Sequence, residues 1–156
     1  MVMQSDPDFR DMPRLESKSS VSTLLVEDDW LIRVNYHRAA VLTVAAAKEE
    51  IELVTVLMDR KRADEGADWP VRILVDARSI RKASREAKAL FGSDEFSEMM
   101  HITGVAVMVK SSVSKMLANS FLAWSRPPHP TRLFTCEEEA KHWLKGLPSR
   151  DDAEKG

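Results

Sequence analysis

Two short apolar runs constrain the fold of this chain more than any other feature. Val71–Val75 (VRILV) and Gly104–Val109 (GVAVMV) are almost uninterrupted by polar residues. A strand with one solvent-exposed face alternates apolar and polar residues, whereas a strand that is buried on both faces has a continuous run of apolar residues. Strands of the second kind are typically parallel and lie between layers of helices. We therefore predict an α/β fold with a largely parallel sheet covered by helices.

The segment before the first run predicts an antiparallel hairpin. Ser22–Val26 is rich in β-prone residues, and Glu27–Asp29 has the composition of a turn. After the turn, apolar side chains occupy every second position, as in a half-buried strand; they are Trp30, Ile32, Val34 and Tyr36. A brief last strand is predicted at Thr131–Phe134. The predicted sheet is thus mixed, with an antiparallel hairpin on its N-terminal side.

Helices are predicted in the segments between the strands. Thr43 is suited to cap a long helix, whose apolar stripe consists of Val44, Ala47, Ile51, Val54 and Met58. Ser84 is suited to cap a second helix, and further helices are predicted over 93–100 and 113–124. Thr135–Glu138 has the form of a capping box, in which the threonine oxygen and a glutamate carboxylate each accept a hydrogen bond from an exposed amide. The last helix should begin there.

The length of 156 residues suits a single domain. Residues 1–20 are polar and lack a sustained period, so we expect a disordered N-terminal arm. The single domain should cover 21–147, and 148–156 should form a flexible tail. Within the domain, the charged run Asp59–Asp68 contains Gly66 and is predicted to be a loop.

Charge and composition narrow the expected partners and location. The chain has 23 Lys and Arg residues against 25 Asp and Glu, a formal net charge of −2, so it has no overall attraction for nucleic acid or for an anionic membrane. We find neither a secretory signal pattern nor a run of about 20 apolar residues, the length that spans a membrane. The single cysteine, Cys136, leaves no internal disulfide. We expect a cytoplasmic protein without a nucleic-acid partner or membrane insertion.

Polar side chains follow each of the two buried strands. Asp76 comes directly after the first run and Lys110 after the second. If the strands are parallel neighbours, these residues emerge at the same carboxyl edge, where open α/β sheets place their ligand sites. Together with Arg78, Ser111 and Ser112 they form a candidate site for a small anionic ligand. The structural alternative is an Asp76–Lys110 ion pair with a serine helix cap.

Two serines in the same region are candidate phosphorylation sites. A phosphate on Ser79 or Ser84 would lie near Arg81 and Arg85, where it would be favoured electrostatically. The alternative for Ser84 is a purely structural role as a helix N-cap.

Motifs for metal binding and catalysis are missing from the sequence. The four histidines form no HxH or HExxH pair, and one cysteine cannot complete a common zinc site. No GxSxG elbow, GxGxxG loop or Walker-type loop occurs. We predict no metal, no cofactor and no enzymatic activity.

Four segments carry a resemblance to a known group of domains. These are ILVDARSI (73–80), SREAKAL (84–90), VKSSVSKMLANSFL (109–122) and RPPHPTRLFTCEEEAKHWL (126–144). They resemble bacterial STAS, or anti-sigma factor antagonist-like (SpoIIAA-like), domains of an uncharacterised branch. The resemblance implies a SpoIIAA-like fold, in agreement with the predicted mixed sheet.

The resemblance also bears on regulation. In better-understood anti-sigma factor antagonists, a strand ending in aspartate leads to an Asp-Ser-Ser-Gly-like turn whose serine is phosphorylated to control binding of a kinase partner. Here Asp76 and nearby serines are kept, but the Ser-Ser-Gly core is replaced by Ala77-Arg78-Ser79. The phospho-switch is therefore not carried over.

The leading hypothesis is a non-catalytic STAS-like regulatory domain that binds another protein or a second copy of itself as a homodimer. The broad apolar surface of the helix over residues 44–58 is consistent with a partner. The alternative is a domain that binds a small anionic or lipid-like ligand near Asp76 and Lys110. A lipid-like ligand would need an apolar pocket, for which the candidates are Met99, Met100, Met108, Met116, Phe121 and Trp124; ordinary core packing is the competing interpretation.

Overall fold

A computed structural model describes residues 16–91, 101–111 and 129–148. These residues form eight strands and three helices. In chain order they are β1 (Glu16–Lys18), β2 (Ser22–Glu27), β3 (Leu31–Tyr36), β4 (Ala40–Leu42), α1 (Val44–Glu65), β5 (Val71–Asp76), β6 (Ile80–Ala83), α2 (Arg85–Phe91), β7 (Ile102–Met108), β8 (Thr131–Phe134) and α3 (Glu137–Gly146).

The main sheet has six strands in the order β1-β2-β3-β5-β7-β8. Strands β1, β2 and β3 pair antiparallel, and the pairs from β3 to β8 are parallel. Leu74 on β5 and Ala106 on β7 are register partners, and both are completely buried. The predicted mixed sheet, with its N-terminal hairpin and its doubly buried central strands, is confirmed.

Each face of the sheet has its own apolar core. On one face, α1 and α2 pack against the sheet, and Leu24, Ile32 and Leu57 are buried in this larger core. On the opposite face, α3 packs over the parallel strands, and Leu31, Met108 and Leu144 are buried there. Because both cores share the central strands, residues that alternate along β5 and β7 belong to different cores.

The charged run Asp59–Asp68 is mostly helical, so the predicted loop is wrong. Helix α1 continues to Glu65 and is capped by Gly66 at φ 112°. Lys61 is only 5% exposed; its ammonium lies 3.4 Å from the Glu65 carboxylate and 5.6 Å from the centre of the Trp69 ring. The lysine stem buries against the ring, and this packing makes a charged turn of helix favourable where composition alone suggests a loop.

A second, two-stranded parallel sheet was not predicted. It pairs β4 with β6 and lies outside the main sheet. Strand β6 consists of Ile80-Arg81-Lys82-Ala83, and its two central cations conceal any strand pattern. Pairs of such short segments depend on tertiary contacts rather than on local propensity.

Two of the three predicted helix caps are confirmed. The Ala46 amide donates to the Thr43 hydroxyl at 3.1 Å at the start of α1, and the Ala87 amide donates to the Ser84 hydroxyl at 3.1 Å at the start of α2.

The capping box at Thr135–Glu138 is wrong. Cys136 is the N-cap of α3, and its side chain accepts no capping hydrogen bond. The helix therefore begins one residue later than predicted. The carboxylate of Glu137 is bound by Arg33 of β3, so a contact between distant elements positions this helix end in place of a local cap.

The predicted disordered arm, residues 1–20, contains ordered structure in its last part. Strand β1 pairs with β2, and the Ser20 amide donates to the Glu49 carboxylate at 2.7 Å. Residues 1–15, the predicted helices over 93–100 and 113–124, and the tail from 149 lie outside the described residues.

Candidate functional site

The turn after β5 is fixed by its first residue. Asp76 Oδ1 accepts hydrogen bonds from the Arg78 backbone amide at 3.2 Å and from Arg78 Nε at 2.9 Å, and Oδ2 accepts one from Nη2 at 2.7 Å. The Arg78 side chain thereby lowers the pKa of Asp76, with a smaller contribution from Arg33. The carboxylate stays ionised and engaged with its own turn, so it acts as an anchor for the loop.

The two strand ends lie side by side, as predicted. Asp76 and Met108 are register partners, and the Ala77 amide donates to the Met108 carbonyl at 3.0 Å. The turn 77–79 therefore adjoins the residues that follow β7. The Asp76 carboxylate, the predicted alternative ion-pair partner of Lys110, is bound by Arg78 instead. Lys110 is exposed.

Exposed cations concentrate at this carboxyl edge and along the adjoining β6. We call this surface the cationic edge and define it by Arg78, Arg81, Lys82, Arg85 and Lys110, all of them exposed. Ser79 and Ser111 are also exposed there, while Ser112 lies outside the described residues. Four of the five residues of the predicted anion site, Asp76, Arg78, Lys110 and Ser111, thus lie at or just after the adjacent ends of β5 and β7, and their binding of an anion stays a prediction.

The two candidate phosphorylation sites differ in environment. Ser79 is exposed at the tip of the turn, next to Arg78. Ser84 is half-buried; its hydroxyl caps α2 and its amide donates to the Leu42 carbonyl at 3.0 Å. A phosphate on Ser84 would displace this cap, whereas one on Ser79 would disturb none of these hydrogen bonds. Modification of either residue stays a prediction.

A network of charged side chains joins the hairpin to α3 beside this edge. Arg33 donates to the carboxylates of Glu27 and Glu137 and, at 2.9 Å, to Asn35 Oδ1. Lys141 lies 2.7 Å from the Glu27 carboxylate and 3.6 Å from that of Glu137. The hydrogen bond from Arg33 is the main reason that the pKa of Glu137 is lowered. Sequence reasoning missed this network because Arg33 and Glu137 are 104 positions apart.

A second cluster that sequence reasoning missed is buried beneath α1. Glu50 is 1% exposed and accepts hydrogen bonds from the hydroxyls of Ser22 and, at 3.2 Å, Ser19. Burial raises the pKa of Glu50, and it also raises that of the neighbouring Tyr36 phenol. The sequence gives no signal for this buried carboxyl group. A helix of this length also has glutamates on its solvent-exposed side, so a glutamate in the helix does not by itself indicate burial.

The comparison with protein families gives a match over most of the chain. The model of DUF7793, described as a domain of unknown function, matches residues 24–148. The chain belongs to the DUF7793 family.

Solved structures place this DUF7793 domain in a known fold. It resembles an uncharacterised protein of the DUF3478 family from Shewanella loihica PV-4, whose structure has a SpoIIAA-like fold. The TM-score is 0.51 at 14% sequence identity, and the match covers 79% of this chain and 91% of that one. The SpoIIAA-like fold that the sequence motifs implied is confirmed.

A second solved structure is a protein of unknown function from Arthrobacter sp. FB24. It is 30% identical to the DUF7793 domain, and the match covers 78% of this chain and 90% of that one, with a TM-score of 0.28. The comparison with curated proteins gives no match.

Two further observations concern the described residues of the DUF7793 domain. Among residues 16–91, 101–111 and 129–148, no three His, Cys, Asp or Glu side chains are grouped so that they could hold a metal ion. None of the helices in these ranges is both long enough and apolar enough to cross a membrane.

Proposed function

We propose that this DUF7793 domain is a non-catalytic regulatory domain that binds a protein partner through its cationic edge. The observation that carries the proposal is the set of five exposed cations on the segments that follow the adjacent ends of β5 and β7, in a chain with a formal net charge of −2. Arg78 is paired with Asp76, and Glu86 is the exposed acidic residue that follows Arg85. The cationic edge is complementary to an acidic patch on a partner, and charge complementarity of this kind gives specificity and fast association.

The geometry of Asp76 supports binding in preference to catalysis. A general base needs a free lone pair directed at its substrate. The Asp76 carboxylate instead accepts three hydrogen bonds from Arg78, and its lowered pKa makes it a weaker base than a free aspartate. The same bonds hold Arg78 in one arrangement, so less ordering entropy is lost when a partner binds.

The proposal is tested by reversing charge at the edge and at a matched surface. Arg81→Glu with Lys82→Glu changes the cationic edge, whereas Lys48→Glu with Arg60→Glu makes the same change in net charge on exposed positions of α1. Each bait is used for affinity capture from the native cell lysate, with mass spectrometry of the retained proteins. We expect one protein retained by the wild type to fall by at least about tenfold with the edge variant, a loss equal to 1.4 kcal/mol, and to stay with the control.

Two outcomes would count against this proposal. If both double variants lose the protein equally, the attraction is a property of net charge and not of the edge. If every folded bait, the wild type included, returns alone, no protein partner is supported.

The same surface supports a second candidate function, the binding of a small anionic ligand. Arg78 and Lys110 lie on adjoining turns at the carboxyl ends of parallel strands, where α/β folds commonly bind ligands. Thermal unfolding with phosphate, phosphorylated sugars and anionic lipid micelles separates the two candidates, because a ligand that binds the native state raises the melting temperature. Lys110→Ala should abolish the shift and Lys48→Ala should not.

A lipid-like ligand has less support than a small anion. Of the residues considered for an apolar pocket, Met108 is fully buried in the core under α3, in keeping with ordinary packing. The other five candidates fall outside the described residues. A shift with the micelles and not with phosphate would favour the lipid.

Control by phosphorylation belongs to the same proposal. A phosphate on Ser79 would sit among the cations of the edge and would neutralise part of the surface that attracts an acidic partner. Mass spectrometry of the captured bait tests this directly: phosphate on Ser79 in the unbound fraction and not in the bound fraction is the expected result. Phosphate present equally in both fractions would contradict the regulatory role.

A further inference from the structure

A second surface, beside α3 on the face of the main sheet opposite α1 and α2, has a different character. An open groove of about 620 Å³ lies between α3 and β8. Its lining residues are Arg132 and Phe134 from the strand and Glu138, Glu139, His142 and Trp143 from the helix. The rings of Phe134 and Trp143 lie 5.7 Å apart, and the Arg132 guanidinium lies 5.4 Å from the centre of the Phe134 ring. We call this surface the acidic groove.

The three consecutive glutamates at the start of α3 divide between two roles. Glu137 is bound by Arg33 and Lys141 and holds the helix to the hairpin. Glu138 and Glu139 are exposed, line the groove, and make no ion pair with any residue that the structure describes. Favourable placement near the positive end of the helix dipole accounts for acidic residues in a first turn. It does not account for two of them beside a pair of aromatic rings.

The groove runs beside an edge of the sheet. Strand β8 is at one end of the strand order, so within the described ranges it pairs only with β7. The carbonyls of Pro130 and Phe134 accept hydrogen bonds from β7 at 2.9 Å. Because backbone groups alternate along a strand, those of Thr131 and Leu133 point away from β7, toward the open side. They are placed to pair with one more strand.

We propose that the acidic groove and the outer edge of β8, which pairs with no further strand in the described part of the chain, together bind an extended basic segment of a partner protein. The backbone of the segment pairs with Thr131 and Leu133, as in other complexes formed by strand addition. Its side chains on the α3 side then point toward Glu138, Glu139 and Trp143. Lysine or arginine at alternate positions matches the helix side of the lining, because Glu138 and Glu139 attract the cation and the Trp143 ring binds it. The one guanidinium of the lining, Arg132, lies over the Phe134 ring on the strand side.

Charge decides between a basic partner and a second copy of this chain. Antiparallel pairing of β8 with its own copy would bring together two surfaces that each carry Glu138 and Glu139 against one guanidinium, Arg132, and surfaces of the same net sign disfavour association. A basic segment meets the same carboxylates with opposite charge. The residues that line the groove are different from those that define the cationic edge, and the proposal does not depend on the function proposed for that edge.

The experiment measures binding of a fluorescent peptide to the full chain by anisotropy. The probe alternates lysine and valine, a second peptide alternates glutamate and valine, and a third carries a central proline in the lysine peptide, which breaks strand pairing. We expect binding of the lysine–valine peptide alone. The double variant Glu138→Lys, Glu139→Lys should weaken it by at least about tenfold. The control Glu52→Lys, Asp59→Lys, on exposed positions of α1, should leave it within about twofold.

Each of the other outcomes overturns the proposal. Absence of binding to the wild type does so directly, once circular dichroism shows that the protein is folded. Equal binding of the proline peptide, or equal loss in both double variants, would show nonspecific attraction of cations. A wild-type dimer in gel filtration that becomes monomeric in the Glu138, Glu139 variant would show that a second copy covers this edge.

Discussion

The two faces of the main sheet are held to their helices in different ways. On the α1 face, the buried carboxyl group of Glu50 is 1% exposed and is bound by serine hydroxyls. On the α3 face, Glu137 is 37% exposed in its side chain and is bound by Arg33 and Lys141. The pKa of Glu50 is raised by burial, and that of Glu137 is lowered by its cationic partners.

This comparison shows that the residue type does not decide the role of a glutamate. Hydroxyl groups satisfy the lone pairs of a buried carboxyl but do not offset its loss of hydration when it ionises. Cationic partners at a half-open position offset that loss. The first arrangement favours the neutral acid and the second favours the carboxylate, so the two faces should respond to pH in opposite directions.

The largest predicted effect tests whether the two apolar cores contribute equally. Leu57 on α1 and Leu144 on α3 are both completely buried, so truncation of either to alanine should lower the free energy of unfolding by about 3 kcal/mol. Urea unfolding followed by circular dichroism measures both. Val56→Ala serves as the control, because Val56 is 43% exposed and its truncation should cost less than about 0.5 kcal/mol.

A much smaller loss of unfolding free energy for Leu144→Ala than for Leu57→Ala would show that the two apolar cores do not contribute equally to stability. It would mean that α3 is attached mainly by the Arg33 and Lys141 network and that its apolar core is secondary.

The next prediction concerns the two glutamates and pH. Glu137 has a folded pKa below the ordinary value of 4.5, so its stabilising contribution is present above that value and is lost as the pH falls through the folded pKa. Glu137→Gln should therefore be less stable than the wild type at neutral pH and equal to it in acid. The free energy of unfolding from urea titrations over the acid to neutral range measures this difference.

Glu50 should behave in the opposite way. Its folded pKa is above 4.5, so its favourable contribution is present below that value and is lost as the pH rises through the folded pKa. Glu50→Gln should have the same free energy of unfolding as the wild type in acid, and it should become more stable than the wild type as the pH rises. Differences of the same sign for both variants would show that the two carboxyls do not lie in the contrasting environments described above.

The smallest predicted effect compares the two helix starts. Thr43 caps α1 through its hydroxyl, so Thr43→Ala should cost about 1 kcal/mol. Cys136 at the start of α3 provides no such bond, so Cys136→Ser should gain about 0.5 kcal/mol or more. Thermal unfolding of the two variants against the wild type tests both. Destabilisation by Cys136→Ser would indicate that the Arg33–Glu137 contact fixes the helix start in a geometry that a cap cannot adopt.

Much of the fold could be predicted from local pattern. The doubly buried strands, the hairpin and the caps Thr43 and Ser84 follow from side-chain periodicity and from the need to satisfy exposed amides. The last turns of α1 could not be predicted, because they depend on packing of Lys61 against Trp69. The β4–β6 pair could not be predicted either, because segments of three and four residues carry too little pattern to identify their partners.

Some features of the candidate site could also be predicted from the sequence, and others could not. The sequence placed Asp76 and Lys110 at the ends of adjacent strands, and the register of β5 and β7 agrees. The partner of Asp76 was decided by the turn, where Arg78 is two residues away and closes a local bond. The acidic groove could not be anticipated, because Glu138 and Glu139 differ from Glu137 only in the direction that α3 gives them.

By itself, therefore, the sequence determined most strands of the main sheet, the starts of α1 and α2, and which strands lie buried between helical layers, and the resemblance of its motifs implied the SpoIIAA-like fold. Those properties depend on residues near one another in the chain. Only the tertiary structure decided which carboxyl groups have a pKa raised by burial, which are ion-paired and which face solvent. Hydration and ion pairing depend on the neighbours that packing brings together, and in this domain one decisive pair joins residues 104 positions apart.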